Sequence, residues 1–283
     1  MSNSTPEIAL IVVTYQRPRH LQLVLESIAG QQGIDRRLEL CITDDGSTDE
    51  TAQVVEDFQR RVNFPARFVT HPHVTFQAAR CRNEGARATT APYLLFLDGD
   101  CLLPADHVAT HLGHRKPGVA MIGDAARVEQ APSEQLTIGD VRRGAFDHLL
   151  IAAERQRLQK SEFKYRLYNF LRHPTKPYKL RSGNFGIHRA DFERVNGFDE
   201  NFEGWGGEDD DLGRRLRRAG VRLESIVRHT HSYHLWHARD ETAPEKVKSA
   251  PNTQYLWRKD APARCLNGLT KLSGVQPPVR DTR

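Results

Sequence analysis

The chain contains 283 residues, which is enough for one large or two small domains with a substantial core. Its 41 lysines and arginines exceed its 36 acidic residues and give a net charge of +5, which favours phosphate-rich partners or anionic membrane surfaces without requiring either. No apolar run reaches the roughly 18 residues of a membrane span, and the first residues lack the basic and apolar regions of a secretion signal. These features argue against an integral membrane protein and against a secreted one.

The four cysteines form no Cys-x-x-Cys pair, and two of them lie in strand-like apolar segments. They are Cys41, Cys81, Cys101 and Cys265. We interpret them as reduced thiols, with disulfides as the alternative. The expected location is therefore cytoplasmic.

The first predicted unit is a strand, a loop and a helix. The strand is the apolar segment 8–13, and the loop is residues 14–18, Thr-Tyr-Gln-Arg-Pro. A helix follows with Leu21, Leu25 and Ile28 on one face, and the proline that ends the loop suits its first turn.

A second unit repeats this order. Residues 38–43 are predicted as a strand and residues 44–46, Asp-Asp-Gly, as a turn. The Ser-x-x-Glu spacing from Ser47 to Glu50 predicts a capping box, and therefore a helix that begins at Ser47.

A third strand, 67–69, leads to a helix over 76–88 and then to the apolar run 93–97. Five apolar or aromatic residues in a row are typical of a strand that is buried on both faces, as in parallel sheets. Strands that alternate with helices imply right-handed crossovers. The sequence therefore predicts an α/β fold with a mostly parallel central sheet flanked by helices.

The run 93–97 ends in two carboxylates, Asp98 and Asp100, with Gly99 between them. Two close carboxylates repel each other unless one is protonated or a cation neutralises them, so a divalent cation explains the pair. Asp-Gly-Asp is also good turn chemistry, and a turn is the alternative.

Polar side chains follow three of the early strands. They are Thr14 with Tyr15, Asp44 with Asp45, and the carboxylate pair that begins at Asp98. Open α/β sheets bind ligands beyond the carboxyl ends of their strands. Capping of the next helix is the alternative for the pair at 44–45, but the recurrence at three strand ends favours a shared ligand site.

Beyond this point we predict a helix near 106–114, a strand near 119–123 and a basic, helix-compatible insert over 142–181. The insert has eleven basic residues against three acidic ones, interleaved with aromatic residues. One interpretation is a solvated amphipathic helix pair. The other is a surface for an anionic membrane or an anionic acceptor.

Two glycine-rich segments follow the insert. Residues 182–189 have the small side chains that allow backbone to approach a ligand closely, although a bent strand would also explain them. Residues 204–207, Gly-Trp-Gly-Gly, precede four consecutive acids at 208–211. Those acids suit the start of a helix that Gly220 terminates. The glycine loop with its single Trp205 predicts a lid over a site whose acids face a substrate.

Near the C-terminus a short strand is predicted to begin at Ile226, and four histidines follow it within nine residues. They are His229, His231, His234 and His237. Each of them alone has innocuous explanations, but the group predicts that at least one binds a metal. The polar, basic tail 243–283 offers no clear chemistry.

Together these segments resemble the family 2 type of nucleotide-sugar glycosyltransferase, and the second half resembles the beta-1,4-galactosyltransferase and chondroitin polymerase branch. The resemblance covers most of residues 8–240 and depends on motifs at 13–18, 44–47, 98–100, 197–199 and 204–212. It implies the GT-A fold, with a smaller acceptor-side subdomain. We expect a donor half at 1–102, an acceptor-binding and catalytic half at 103–242 that carries the basic insert, and a tail at 243–283.

The resemblance also implies a ligand and a residue set. The donor would be a UDP-sugar, bound by Thr14, Tyr15, Arg17, Asp44, Asp45, Asp98, Gly183 and Trp205. Mn²⁺ or Mg²⁺ would be bound by Asp100 and a histidine, for which His234 is chosen and His229 and His237 stay as rivals. The acceptor would contact Trp205, Gly207, Glu208 and Asp209. The insert matches no motif of this family, and residues before Gly183 differ from the galactosyltransferases, which leaves the donor sugar open.

These residues imply an inverting transfer of a hexose or N-acetylhexosamine to a saccharide or lipid-linked saccharide. Asp209 would be the catalytic base and Glu208 would bind the acceptor. A sugar nucleotidyltransferase is one alternative, but segment 14–18 lacks the glycine-rich phosphate loop such an enzyme needs. A basic polyanion-binding protein is another, although strand-end carboxylates repel polyanions. We expect no nucleic-acid partner, and peripheral contact with the inner membrane face is a further hypothesis.

Overall fold

The structure is a computed structural model that describes residues 5–34, 37–171, 179–238, 251–258 and 261–272. Its strands are β1 (Ile8–Thr14), β2 (Leu38–Asp44), β3 (Ala66–Thr70), β4 (Tyr93–Asp98), β5 (Cys101–Leu102), β6 (Val119–Ile122), β7 (Ala125–Arg127), β8 (Asn184–His188), β9 (Arg222–Ser225) and β10 (Ser232–His234). Its α-helices are α1 (Pro18–Ala29), α2 (Thr51–Gln59), α3 (Ala78–Arg87), α4 (His107–His114), α5 (Gln130–Gln135), α6 (Ile138–Arg142), α7 (Ala152–Leu171), α8 (Arg189–Arg194), α9 (Glu208–Arg218) and α10 (Pro251–Leu256).

The central sheet has seven strands in the order β3-β2-β1-β4-β8-β6-β9. The first four strands in the chain are mutually parallel, whereas β8 is antiparallel to both β4 and β6. The predicted α/β class with a mostly parallel sheet is confirmed. The sheet takes strands from both sides of residue 102, and the division into halves stays a prediction.

Both faces of the central sheet are covered, which explains the unbroken apolar run of β1. Alternate residues of this strand enter two different clusters. Ile8 and Leu10 pack with the predicted apolar face of α1, and Ala9 and Ile11 pack on the opposite side with Phe185 of β8. A strand with two buried faces has no reason to alternate apolar with polar residues.

A smaller sheet, in the order β5-β10-β7, adjoins the end of β4. In it, β10 is antiparallel to β5, and His234 is paired with Cys101. Because Cys101 directly follows Asp100, this register brings His234 beside the strand-end carboxylate. The main-chain N–H of Leu235 also donates to the Asp100 carbonyl, at 2.9 Å.

Two local predictions are wrong. Helix α2 begins at Thr51 without a capping box, because Ser47 donates its N–H and its hydroxyl to the Asp44 carboxylate instead. The predicted strand at Ile226 is a turn, in which the Ile226 carbonyl accepts the N–H groups of His229 and Thr230. The neighbouring strand β9 ends before it, at Ser225.

The remaining predictions concern the insert, the thiols and membrane spans. The insert contains the 20-residue helix α7, but residues 172–178 and the side chains of 168–171 lie outside the described part of the chain. All four cysteines are buried and unpaired, as predicted. Among the described helices, none is both long and apolar enough to cross a membrane.

Candidate active site

A cavity of about 640 Å³ lies at the carboxyl ends of β1 and β4. Most of the predicted site residues line it: Thr14, Tyr15, Arg17, Asp98, Asp100, Trp205, Gly207, Glu208, Asp209 and His234. They come from four separate stretches of the chain, and the sheet topology brings them to one edge. Asp44, Asp45 and Gly183 are not among the lining residues.

Gly99 fits the tight junction between β1 and β4. Its N–H donates to the Val13 carbonyl at 2.7 Å, and an added Cβ would lie only 2.8 Å from that oxygen. A larger residue would push the two strand ends apart. The glycine therefore keeps Asp98 and Asp100 close to Thr14 at the end of β1.

Asp44 and Asp45 lie behind the cavity wall, where protein donors surround them. Asp45 is fully buried, and its carboxylate contacts His71 at 2.9 Å and accepts the Gln77 N–H at 3.0 Å. The His73 ring contacts the Asp45 carbonyl at 2.9 Å and stacks on Tyr15 with 4.4 Å between ring centroids. In this structure Asp45 supports the wall through His73 and Tyr15.

Gly183 packs directly against Asp98. An added Cβ would lie 2.4 Å from the Asp98 Oδ2 atom, and the Gly183 carbonyl accepts the Asp98 N–H at 3.3 Å. The neighbouring Ser182 lines the cavity. Gly183 thus allows the close approach that the sequence predicted, although the group that approaches it is a carboxylate of the chain itself.

Asp100, His234 and His237 form the metal-binding candidate. One ligand atom from each lies within 4.8 Å of the others. His237 Nε2 is 3.3 Å from Asp100 Oδ2, and His234 Nε2 is 3.6 Å from Oδ1. A carboxylate with two imidazoles is a donor set that suits divalent transition metals. In this structure the Arg17 guanidinium also reaches Asp100, at 3.2 Å.

Electrostatics favour the ionised form of Asp100. Burial opposes ionisation, but the hydrogen bond from His237 and the charges of His234 and Arg17 outweigh it and hold the pKa of Asp100 well below its ordinary value. The same hydrogen bond raises the pKa of His237. A carboxylate that stays ionised is ready to bind a cation.

The structure places the rival histidines in different surroundings. His229 lies outside the group around Asp100, and its ring packs against His114 in a tilted arrangement with 4.1 Å between ring centroids. His231 packs against Tyr233 instead of entering the group. The geometry therefore groups His237 with His234, whereas the sequence pattern alone could not separate them.

The acidic helix α9 lines the same cavity as the Asp100, His234 and His237 group. Gly207 precedes it in a left-handed conformation with φ of 97°, which favours glycine. Burial and the neighbouring charges of Glu208 and Asp210 raise the pKa of Asp209 to about 7. Asp210 is paired with Lys179 at 3.0 Å. A carboxylate with this pKa is suited to accept a proton near neutral pH.

The sequence did not predict the contributions of Arg82 and of helix α10 to the cavity. Arg82 of α3 reaches it with a buried guanidinium, and the only sequence signal was a basic residue on the face that α3 buries. Helix α10, from the tail without clear chemistry, contributes Thr253 and Leu256. Its Asn252 donates to the carbonyls of Glu203, Trp205 and Gly206 at 3.0, 3.3 and 2.9 Å. Helix α10 therefore holds the glycine loop.

The mostly parallel sheet, the Asp-x-Asp strand end, the two imidazoles beside it and the acidic helix that lines the same cavity agree with the GT-A type of glycosyltransferase fold that the resemblance implied. The chain belongs to the glycosyltransferase like family 2, whose family model matches residues 10–240. The predicted family and fold are confirmed.

Curated relatives support the same family. Validoxylamine A glucosyltransferase of Streptomyces hygroscopicus subsp. limoneus is 31% identical over 238 residues, a match that covers 78% of this chain and 50% of that protein. Chondroitin synthase of Escherichia coli is 26% identical over 231 residues, with coverage of 77% and 33%. The chain thus spans half or less of the length of these relatives.

A solved structure shares the fold at low sequence identity. GalNAc-T7 with UDP, GalNAc and Mn²⁺ has a TM-score of 0.60 and 15% identity, and the match covers 90% of this chain and 48% of that one. At this identity the likeness shows the fold alone.

Proposed function

We propose that the chain transfers a hexose or N-acetylhexosamine from a UDP-sugar to a saccharide hydroxyl, with inversion and with Mn²⁺ or Mg²⁺. The observation that carries the proposal is that one cavity combines the Asp100, His234 and His237 group with the carboxylate of Asp209. The related proteins named above, a glucosyltransferase and a chondroitin synthase, support a sugar transfer.

The strand-end residues bind the donor in this proposal. Tyr15 offers an aromatic face for the uracil, and Asp98 accepts from the ribose hydroxyls. Asp100, His234 and His237 would hold the divalent cation, which supplies Lewis-acid stabilisation of the leaving diphosphate. When the cation takes the place of Arg17 beside Asp100, the Arg17 guanidinium can pair with a phosphate of the donor. Asp44 and Asp45 support the wall of the donor site in this proposal and do not contact the donor, because protein donors occupy their carboxylate oxygens.

The acceptor lies on the α9 side. Glu208 accepts a hydrogen bond from the acceptor sugar, and Asp209 takes the proton of the attacking hydroxyl. The acceptor oxygen forms a bond to the anomeric carbon as the bond from that carbon to the diphosphate oxygen breaks. UDP leaves, and the proton remains on Asp209. In this proposal Trp205, which is 42% exposed in the glycine loop, closes over the two sugars.

A metal-dependent assay of UDP release tests this function. The protein is incubated with several UDP-sugars and Mn²⁺, with and without EDTA, and UDP is quantified. Release that EDTA abolishes supports the proposal. Pyrophosphate formation with a UTP and sugar phosphate pair would instead indicate a nucleotidyltransferase. Salt-sensitive polyanion binding without turnover would indicate a binding protein.

We expect kcat/KM to decrease as the pH is lowered below about 7. Asp209 must be deprotonated to act as a base, and its pKa is raised to about 7 by burial and neighbouring carboxylates. Initial rates between pH 5 and 9 at saturating Mn²⁺ measure this limb. A profile that stays flat down to pH 5 would contradict the role of Asp209.

We further propose that helix α7 brings the enzyme to anionic membranes that carry its acceptor. Phe163 and Leu167 of α7 are 67% and 40% exposed, and exposed Lys160 and Lys164 flank them. Apolar side chains between cations suit the boundary of an anionic bilayer.

Liposome sedimentation tests this contact. The protein is expected to co-sediment with vesicles of anionic phospholipid at low salt, and the double variant Phe163→Ser and Leu167→Ser is expected to lose most of that binding. Leu266→Ser removes a similarly exposed apolar side chain elsewhere and serves as the control. Failure of the unmodified protein to sediment, or equal binding by the double variant, would contradict the membrane role.

A further inference from the structure

Arg82 is a buried cation that joins the two sides of the cavity. Its side chain is only 5% exposed, and its Nη2 lies 2.9 Å from Asp98 Oδ1 at the end of β4. Its Nη1 lies 3.2 Å from Glu208 Oε1 at the start of α9. A buried guanidinium is costly unless carboxylates pair with it. The two contacts therefore couple residues that are 16 and 126 positions away in the sequence.

The guanidinium of Arg82 is also held in place by the segment around Phe198. It lies over the ring of Phe198, with 5.4 Å from its central carbon to the ring centroid. The adjacent Asn83 exchanges two hydrogen bonds with the backbone of Phe198, both at 2.9 Å. Helix α3 and the segment around Phe198 thus form one rigid support for the arginine.

Helix α9 follows a glycine-rich loop whose main-chain carbonyls are held by Asn252 of α10, so the loop fixes the backbone but not the acidic side chains at the start of the helix. The preceding residues include Gly204, Gly206 and Gly207, all with positive φ, and no side chain caps the helix. The carboxylate of Glu208 is held by Arg82 instead.

We propose that Arg82 is a positioning residue for the transfer reaction. It holds Glu208 in a fixed relation to Asp98, and thereby places the start of α9, including the base Asp209, against the donor. Arg82 touches no reacting atom in this scheme. The inference rests on the proposed function, because it assigns roles within the same site.

The charges around Asp209 give the proposal a measurable signature. Glu208 and Asp210 of its own helix raise its pKa, whereas Arg82 from α3 lowers it. Asp98 faces Arg82 from β4, and Lys179 is paired with Asp210. Removal of the Arg82 charge is therefore expected to move the acid limb of the pH profile to higher pH.

Three variants test the assignment: Arg82→Gln, Arg82→Lys and Arg80→Gln. Arg80 lies on the same helix but pairs with Glu84 outside the cavity, and it is the control. Arg82→Gln is expected to lower kcat about 100-fold, the scale of a misplacement near 1 Å, with donor affinity changed much less. Arg82→Lys keeps the positive charge, but a lysine can contact only one of the two carboxylates. Its acid limb is therefore expected to match that of the unmodified protein, whereas its kcat is expected to lie between those of the unmodified protein and Arg82→Gln.

A double-mutant cycle with Glu208→Gln separates positioning from general damage. If Arg82 acts through Glu208, the losses in kcat are strongly non-additive. Circular dichroism and UDP binding establish that each variant is folded, and Arg82→Lys carries the cycle if Arg82→Gln does not fold. Additive losses, or an unshifted acid limb in Arg82→Gln, would overturn the inference while leaving the proposed function intact. Absence of metal-dependent UDP release by the unmodified protein would overturn both.

Discussion

Replacement of Asp209 by asparagine is expected to lower transfer by about 10²–10⁴-fold while UDP binding is retained. The amide has nearly the same shape as the carboxylate but cannot accept the proton of the attacking hydroxyl. The donor contacts at the ends of β1 and β4 do not involve this side chain. The effect should therefore fall on kcat, and the affinity for UDP with Mn²⁺, measured by calorimetry, should change little.

Asp210→Asn provides the matched control for that experiment. Asp210 is the next residue of α9 and also lines the cavity, but its carboxylate is paired with Lys179. It raises the pKa of Asp209, so its removal should move the acid limb slightly to lower pH and cost far less activity. If both variants lost activity equally, or if Asp209→Asn kept near-normal turnover, the catalytic base would have to be sought elsewhere.

The fold was largely predictable because the β1 to β4 region is periodic and locally consistent. Apolar runs such as 93–97, followed by turn residues, specify buried parallel strands without long-range information. The errors came from local competition between hydrogen bonds. Ser47 has the spacing of a cap, but it donates its N–H and its hydroxyl to Asp44, which lies three residues before it, whereas Glu50 lies three residues after it. A spacing rule cannot show which of two equally distant carboxylates the serine will contact.

Site residues were predictable where the local sequence determines their position in the fold, and were not predictable where contacts between distant parts of the chain determine it. Asp98 and Asp100 follow a strand that had to end at the ligand-binding edge, so their place was fixed by the strand. His237 lies three residues beyond the end of β10, and the pairing of β10 with β5, which spans more than 130 residues, brings this segment to Asp100. Arg82 gave little signal, because an arginine on a helix is usually solvated and its two partners are remote in the sequence.

Removal of the divalent cation is expected to abolish transfer, and loss of either histidine is expected to weaken Mn²⁺ binding by at least about tenfold. Asp100 alone offers one carboxylate, whereas the group with His234 and His237 supplies three ligand atoms within 4.8 Å. Each alanine variant removes one of these ligands and leaves the cavity otherwise unchanged. Activity should return at raised Mn²⁺ concentration, because the remaining two ligands still favour the cation.

Titration of UDP release with Mn²⁺ measures this effect for His234→Ala, His237→Ala and the control His229→Ala. His229 has the same side chain and lies eight residues before His237, but it packs on His114. Its removal should leave the Mn²⁺ requirement unchanged. If His229→Ala needed more Mn²⁺ and His237→Ala did not, the metal group assigned here would be wrong. If only His234→Ala shifted the titration, the site would have one imidazole ligand, and the His237 contact to Asp100 would serve to orient that carboxylate.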